Sequence, residues 1–375
     1  MIVINYNIKL MNNKSNKSNK SNKPNKPNKP NKPNKPNKTN ELIETDDYWI
    51  YNNAFIFKSY FYGEYGKYIE LIKKYEILIF SDYDNHKAYF TPGKLDSLIG
   101  RIRSQGNYPF PKSFNQLKNL KVLYFGHTFN RPLLNSLSEL IQLKQLHFGF
   151  KFDQPLLNSL ENLTSLTELT FSYAFNQPLT NSLNNLISLE KIKFSTRFNQ
   201  PVIDELKNLS NLKILDFGYC FNQPLDFDLS NSLCNLTNLE ELILSDNFNH
   251  PIFNLLNNFI KLEKLVLGRY FNYEIKIPSN IKKLGLNNNN FNLIDNLPNG
   301  IEELYLGGDF LSELNNLPNS IKIIKFADYS SYNEDLNNLP DSVETLILPA
   351  RYKKQLKKTP TELKVVEFGK IYRDW

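Results

Sequence analysis

From residue 106 onward, leucine-type residues recur as L-x-x-L-x-[FL], first at Leu120, Leu123 and Phe125 and last at Leu363, Val366 and Phe368. The L-x-[FL] part alternates, which puts its apolar residues on one face of a short strand and the intervening residue on the other. Twelve copies occur. A lone three-residue strand has no stability of its own. Twelve in line predict a parallel sheet about 58 Å long at about 4.8 Å per strand, with the leucine rows buried against return segments. Successive strand ends lie 23 residues apart through the first five copies, then 27 and 23, then 19 to 22. In the first section each strand is followed by an F-N-x-P box: Phe129-Asn130, Phe152-Asp153, Phe175-Asn176, Phe198-Asn199, Phe221-Asn222 and Phe248-Asn249, each with proline two residues on. In the second section the return shortens to N-L-P, as at Leu297-Pro298, Leu317-Pro318 and Leu339-Pro340. The 27-residue unit holds four extra residues around 226–229, expected as a bulge on the return side.

The box residues read as structural. The six phenylalanines, continued by Phe271 and Phe291, predict a stacked aromatic spine in which each buried ring contributes about 2 kcal/mol. The asparagine after each is expected to hydrogen-bond backbone groups of the adjacent turn, because a tight corner leaves amides and carbonyls without sheet partners. Asp153, standing where the other boxes have Asn, can only accept.

An F-N-x-P-[LIV] box followed by a leucine-rich strand resembles the FNIP repeat family, found in cellular slime moulds and in giant viruses of amoebae, and the resemblance covers residues 106–368. It implies a leucine-rich-repeat-like horseshoe and a protein-binding role. The Asn/Lys/Ile-heavy composition suits the AT-rich genomes of such organisms. Some proteins of this type carry an F-box that recruits a ubiquitin ligase, but residues 41–105 hold no convincing L-P-x-E-[IL] start.

Ahead of the array lie two other zones, which divide the chain into 1–40, 41–105 and 106–375. Residues 12–38 run as Asn-Lys-Ser and then Asn-Lys-Pro triplets with nothing apolar to bury, so they predict a disordered low-complexity tail, stiffened where proline recurs. Residues 41–105 are dense in aromatics and predict a small domain or a cap on one end of the solenoid, with strands at 54–57 and 76–80 and helix within 67–74. The expected fold class is therefore α/β, a leucine-rich-repeat-like solenoid with a small aromatic-rich region before it.

Charge changes the picture only by its location. The formal net charge is +7, and residues 11–40 carry nine lysines and no acid, which leaves the remainder at −2. That argues against a nucleic-acid surface on the folded part, as does the absence of a basic stripe among the strand residues. Cys220 and Cys234 form no disulfide framework. Neither a basic-led apolar leader nor a run of about 18 apolar residues occurs, so the expected setting is cytoplasmic, in the host cytoplasm if the protein is viral. The acceptor-like triplets at Asn162, Asn208 and Asn235 share a repeat position with Asn119 and Asn185, so the repeat explains them without glycosylation.

An active site needs unlike residues converging, whereas the polar residues here recur by repeat position. His86, His127, His147 and His250 share no metal-ligand spacing, and no glycine-rich phosphate loop occurs. No catalytic, cofactor-binding or metal-binding residue is assigned, and no cofactor or small-molecule substrate is expected. The candidate partner-binding residues are those between the leucines, expected to face solvent on the concave sheet: Tyr124, His147, Thr170, Lys193, Asp216, Ile243, Tyr305 and Lys325. Their mixture of charge, aromatic and aliphatic character fits a protein partner of unknown identity. Two alternatives stand beside it: a nucleic-acid-associated protein tethered by the lysine tail, and a ubiquitin-ligase adapter acting through an F-box-like segment.

Overall fold

The computed structural model describes residues 41–59, 61, 63–82, 86–90, 111–225, 232–287, 291–356 and 363–366. The tail at 12–38 and the extra residues at 226–229 lie outside the described residues.

Strands β1 (Ile43–Glu44), β2 (Tyr48–Tyr51), β3 (Ala54–Phe57) and β4 (Ile77–Phe80) come from the aromatic-rich zone. The repeats supply β5 (Val122–Tyr124), β6 (Gln145–His147), β7 (Glu168–Thr170), β8 (Lys191–Lys193), β9 (Ile214–Asp216) and β10 (Glu241–Ile243). They continue as β11 (Lys264–Leu267), β12 (Lys283–Leu286), β13 (Glu303–Leu306), β14 (Ile323–Phe326), β15 (Thr345–Ile347) and β16 (Lys364–Val366). All sixteen pair in chain order in one sheet. Pairing is parallel from β3 to β16, in the register the repeat dictates, with Leu146 opposite Leu169 and Leu169 opposite Ile192. The twelve repeat strands enclose eleven turns.

No break separates the aromatic-rich zone from the array, because β4 pairs β5 in parallel. Its edge is made differently. β2 and β3 form an antiparallel hairpin whose two-residue loop, Asn52-Asn53, has φ of 49° and 64°, the left-handed pair such a tight turn demands. β1 then pairs antiparallel with β2 as a two-residue outer strand, which leaves little edge for further pairing. The sequence signal for β2 was Asn-Asn between apolar runs. Helix is scarce: α1 (Ile69–Ile72), α2 (Ile203–Leu206), α3 (Phe253–Leu256) and α4 (Phe291–Ile294) are single turns. The returns are otherwise extended, turn or short 3-10 helix, as at Lys112–Gln116 and Ser232–Asn235, so the α component of the expected class is small.

The leucine rows and phenylalanine columns form one continuous core from Ile50 to Tyr352. Box rings stack from Phe129 to Phe271 at 5.9–6.4 Å between centroids, within 8° of parallel. The side chain of Phe291 lies outside the described residues; the column resumes as Phe310, Tyr332 and Tyr352. A second column from the strand ends, Phe125 to Phe217, meets the first at 4.1–4.3 Å within each turn. Box rings are spaced wider than the roughly 4.8 Å between strands. The turns therefore fan open towards the returns, which makes the sheet the concave face.

Each box corner is tied to the next by its Asn or Asp. Asn130 Oδ1 accepts from the Asp153 amide at 2.9 Å and from Gln154 Nε2 at 3.0 Å. Asp153, Asn176 and Asn199 repeat both bonds one turn on. Asn222 and Asn249 accept from the next backbone amide. Asp153 serves as well as Asn because only acceptance is used. On the opposite corner Asn162, Asn185, Asn208 and Asn235 donate through Nδ2 to a carbonyl of the preceding turn, so three of the acceptor-like triplets have their amides engaged structurally.

Candidate functional site

Two residues of each repeat strand, the first and third, project from the concave face. Solvent reaches the third-position row less than its alternation predicts. Lys193, Ile243, Tyr305 and Lys325 are half-buried, but Tyr124, His147, Thr170 and Asp216 are buried, His147 to 2 % and Thr170 to 1 % exposure. The physical reason is lateral: at the strand spacing, central side chains pack flank to flank, as where the His147 ring stacks on Tyr124 at 4.1 Å. Tyr124 also belongs to a second apolar cluster with Trp49, Ala54, Ile56 and Ile79, which fills the concave face at its N-terminal end. Burial depresses the pKa of His147 to about 3 and pushes that of Tyr124 up.

The charged concave residues pair along the sheet. Lys191 meets Glu168 at 2.9 Å, Lys193 meets Asp216 at 2.7 Å, Lys264 meets Glu241 at 3.3 Å and Lys283 meets Glu303 at 2.9 Å. The Lys325 ammonium sits over the Tyr305 ring at 4.9 Å. A second ladder follows the entry edge of the strands, joining Glu76 to Lys121, Glu190 to Lys213, Glu263 to Lys282 and Glu302 to Lys322. Opposite charges on adjacent turns reward the native register and penalise a slip.

Sequence reasoning missed a third aromatic row, at the exit edge two residues beyond each strand-end phenylalanine. His127 stacks on Phe150 at 4.6 Å and Phe150 on Tyr173 at 4.3 Å, and the Arg197 guanidinium covers Tyr173 at 4.8 Å. Farther along, Tyr219 and Tyr270 are exposed beside Arg269, which pairs with Asp309. Its signal was the 23-residue spacing of His127, Phe150 and Tyr173. Small residues before this row let the corners close: a Cβ on Gly149 would lie 2.0 Å from the Gly126 carbonyl oxygen, and one on Gly268 would lie 1.8 Å from that of Ser245.

Among the described residues, no group of three or more His, Cys, Asp or Glu is placed to hold a metal ion, and Cys220 and Cys234 are free thiols. No helix among them is long and apolar enough to cross a membrane.

A single-coil parallel sheet with leucine rows beneath it defines a leucine-rich-repeat-like solenoid. Residues 289–329 and 310–350 match the FNIP repeat model, so this section of the chain carries FNIP repeats. The matched residues lie in the shorter N-L-P section, not at the six boxes that carry the resemblance in the sequence. Among solved structures, the chain is similar to CroV588, a circular leucine-rich-repeat protein of a giant virus, at 24% identity and a TM-score of 0.50, covering 79% of this chain and 50% of that one. The chain thus spans half the length of that protein. It is also similar to an internalin (InlF) of Listeria monocytogenes, at 18% identity and a TM-score of 0.47, covering 68% of this chain and 82% of that one. No curated protein matches the chain.

Proposed function

We propose that this chain is a non-enzymatic scaffold that binds a protein partner along the concave sheet face, including Lys193, Ile243, Tyr305 and Lys325, and onto the adjoining aromatic exit edge. One observation carries the reading. Core, box and corner positions repeat from turn to turn, whereas the concave positions change, running Tyr, His, Thr, Lys, Asp, Ile along β5 to β10. Structure asks for repetition, and recognition asks for difference. The half-buried concave residues and the exit-edge tyrosines and arginines have the composition of interface anchors. The repeat fold, common among protein-interaction scaffolds, supports the same reading.

The test uses an exchange that keeps the fold while inverting part of the surface: Glu168→Lys together with Lys191→Glu. Capture of a protein partner from lysate of the organism's host or cell is expected to fall at least tenfold, with binding that varies little between about 50 and 200 mM salt. A tail-driven polyanion binder would instead lose affinity steeply with salt. Retention of the partner by the exchanged protein, with loss on removing residues 11–40, would overturn the reading.

A further inference from the structure

Charge is arranged differently at the two ends of the strands. On the concave face and along the entry edge, lysines meet acids of adjacent turns, as Lys191, Lys193, Lys213 and Lys282 do. At the exit edge this pairing stops. The corners from His127 to Tyr270 expose Lys151, Arg197 and Arg269, and of these only Arg269 has a carboxylate partner, Asp309. Lys151 and Arg197 form no ion pair among the described residues. The acids beside them are engaged within the fold. Asp82 accepts from the His127 amide, and Asp153 accepts in the corner ladder. Asp246 accepts from Asn287 Nδ2 at 2.8 Å, and its burial pushes its pKa up. The exposed formal charge of these corners is therefore positive, which favours an anionic partner.

The rings between the cations narrow the kind of anion. Phe150, Tyr219 and Tyr270 are 38, 40 and 55 % exposed, a large apolar component for a charged edge. His127, Phe150 and Tyr173 stack within 9° of parallel, and the Arg197 guanidinium closes the stack over Tyr173. Their faces cover one another, and their edges meet solvent. A ring edge carries partial positive charge, whereas the face carries negative. Edges set among ammonium and guanidinium groups attract carboxylates, and the closed stack leaves no open face on which a nucleobase would lie.

We propose that the exit edge from His127 to Tyr270 binds an acidic peptide segment of a partner protein, extended across the turns, with its carboxylates on Lys151 and Arg197 and its apolar residues against Phe150 and Tyr219. The inference rests on the protein-binding reading above and gives that partner its chemistry. The spacing agrees with it. Successive members of the stack lie 4.3–4.8 Å apart. Lys151 and Arg197, two turns apart, thus stand about 9 Å from each other, which carboxylates two to three residues apart match on a chain extended at about 3.3 Å per residue. Arginine adds direction, since its planar fork holds a carboxylate through two parallel N–H donors.

Cys220 reports on this edge, because it is a free, half-buried thiol on a corner between those of Arg197 and Arg269, and Cys234 on the return side is the internal control. The full chain is treated with iodoacetamide in low salt, with and without a synthetic peptide of Glu-Glu-Phe-Gly repeats, and alkylation of each thiol is followed by mass spectrometry. The peptide is expected to slow alkylation of Cys220 by about threefold or more and to leave Cys234 unchanged, because reactivity follows access. Its counterpart with glutamine for glutamate should protect neither thiol. Lys151→Gln with Arg197→Gln, both at exposed positions, should remove most of the protection without changing the circular dichroism spectrum. Protection that survives this double substitution, or that is equal at both thiols, would place the peptide elsewhere and overturn the proposal. Stronger protection of Cys220 by a single-stranded oligothymidine would overturn it in favour of a nucleic acid. Absence of protection, with partner capture still lost on the Glu168–Lys191 exchange, would overturn this inference and leave the concave reading standing.

Discussion

At the scale of single residues, the box phenylalanines and the central strand residues are both buried, but for different reasons and with different consequences. Phe175 is 1 % exposed and stacked on Phe152, Phe171 and Phe198, so Phe175→Ala is expected to cost about 3–5 kcal/mol in chemical denaturation. Thr170 is equally buried, but its hydroxyl has no hydrogen-bond partner. Thr170→Val, which keeps the shape and removes the unpaired oxygen, should therefore be neutral or stabilise by about 1 kcal/mol; a loss would show that the hydroxyl is satisfied. Two titratable groups, the buried His147 and the half-buried Asp82, make opposite contributions with pH. Burial lowers His147 from 6.5 to about 3, so the folded state holds one proton fewer than the unfolded between those values, and stability from this group is lost as pH falls through that window. Burial raises Asp82 from 3.8 to about 7, tempered by the amide of His127, so the folded state holds one proton more and its contribution is lost as pH rises. The two offset each other between about pH 4 and 6.5. Denaturation at pH 7 and 5 should find His147→Phe stabilised by acid and Asp82→Asn destabilised; equal slopes in both variants would contradict this.

At the scale of elements, a strand of three residues is held by its neighbours, and the side-chain ladders decide which register the neighbours adopt. Glu168 on β7 faces Lys191 on β8, both less than a third exposed. Glu168→Lys alone should cost about 1 kcal/mol by setting like charges opposite each other, and adding Lys191→Glu should recover most of it. A double-mutant cycle measures the coupling, and an additive result would mean the pair contributes nothing to register. The twelve repeat strands, the box column and the split into two sections were legible in the sequence because each depends on residues at fixed spacing. β2 was not, since its Asn-Asn turn is too brief a signal beside the surrounding aromatics. The exit-edge row was visible as a spacing, but nothing in the spacing says that His127, Phe150 and Tyr173 stack on one another outside the core.

At the scale of the molecule, each turn touches mainly the turns beside it, the Arg269–Asp309 pair being an exception that skips one, so stability is close to a sum over neighbours. Deleting 23 residues, from Leu157 to Leu179, removes one unit while restoring every ladder, since leucine, phenylalanine and asparagine rows all advance by that number. The shortened chain should keep its sheet signal by circular dichroism and lose only a few degrees in Tm. Deleting 22 residues should lower Tm further, because the residue left over has to be absorbed in a return and interrupts the asparagine ladder, whose bonds advance by 23. Equal behaviour of the two deletions would refute register as the organising constraint. By itself, the sequence determined which residues are core, which corners are tied by Asn, and that the chain is a solenoid, because those features follow from local periodicity repeated many times. Only the tertiary structure decided how much of Tyr124, His147, Thr170 and Asp216 meets solvent, which carboxylates are paired, and that the aromatic-rich residues 43–80 continue the same sheet. Those outcomes depend on side chains from different turns brought within a few ångströms, and no one-dimensional spacing specifies their lateral packing.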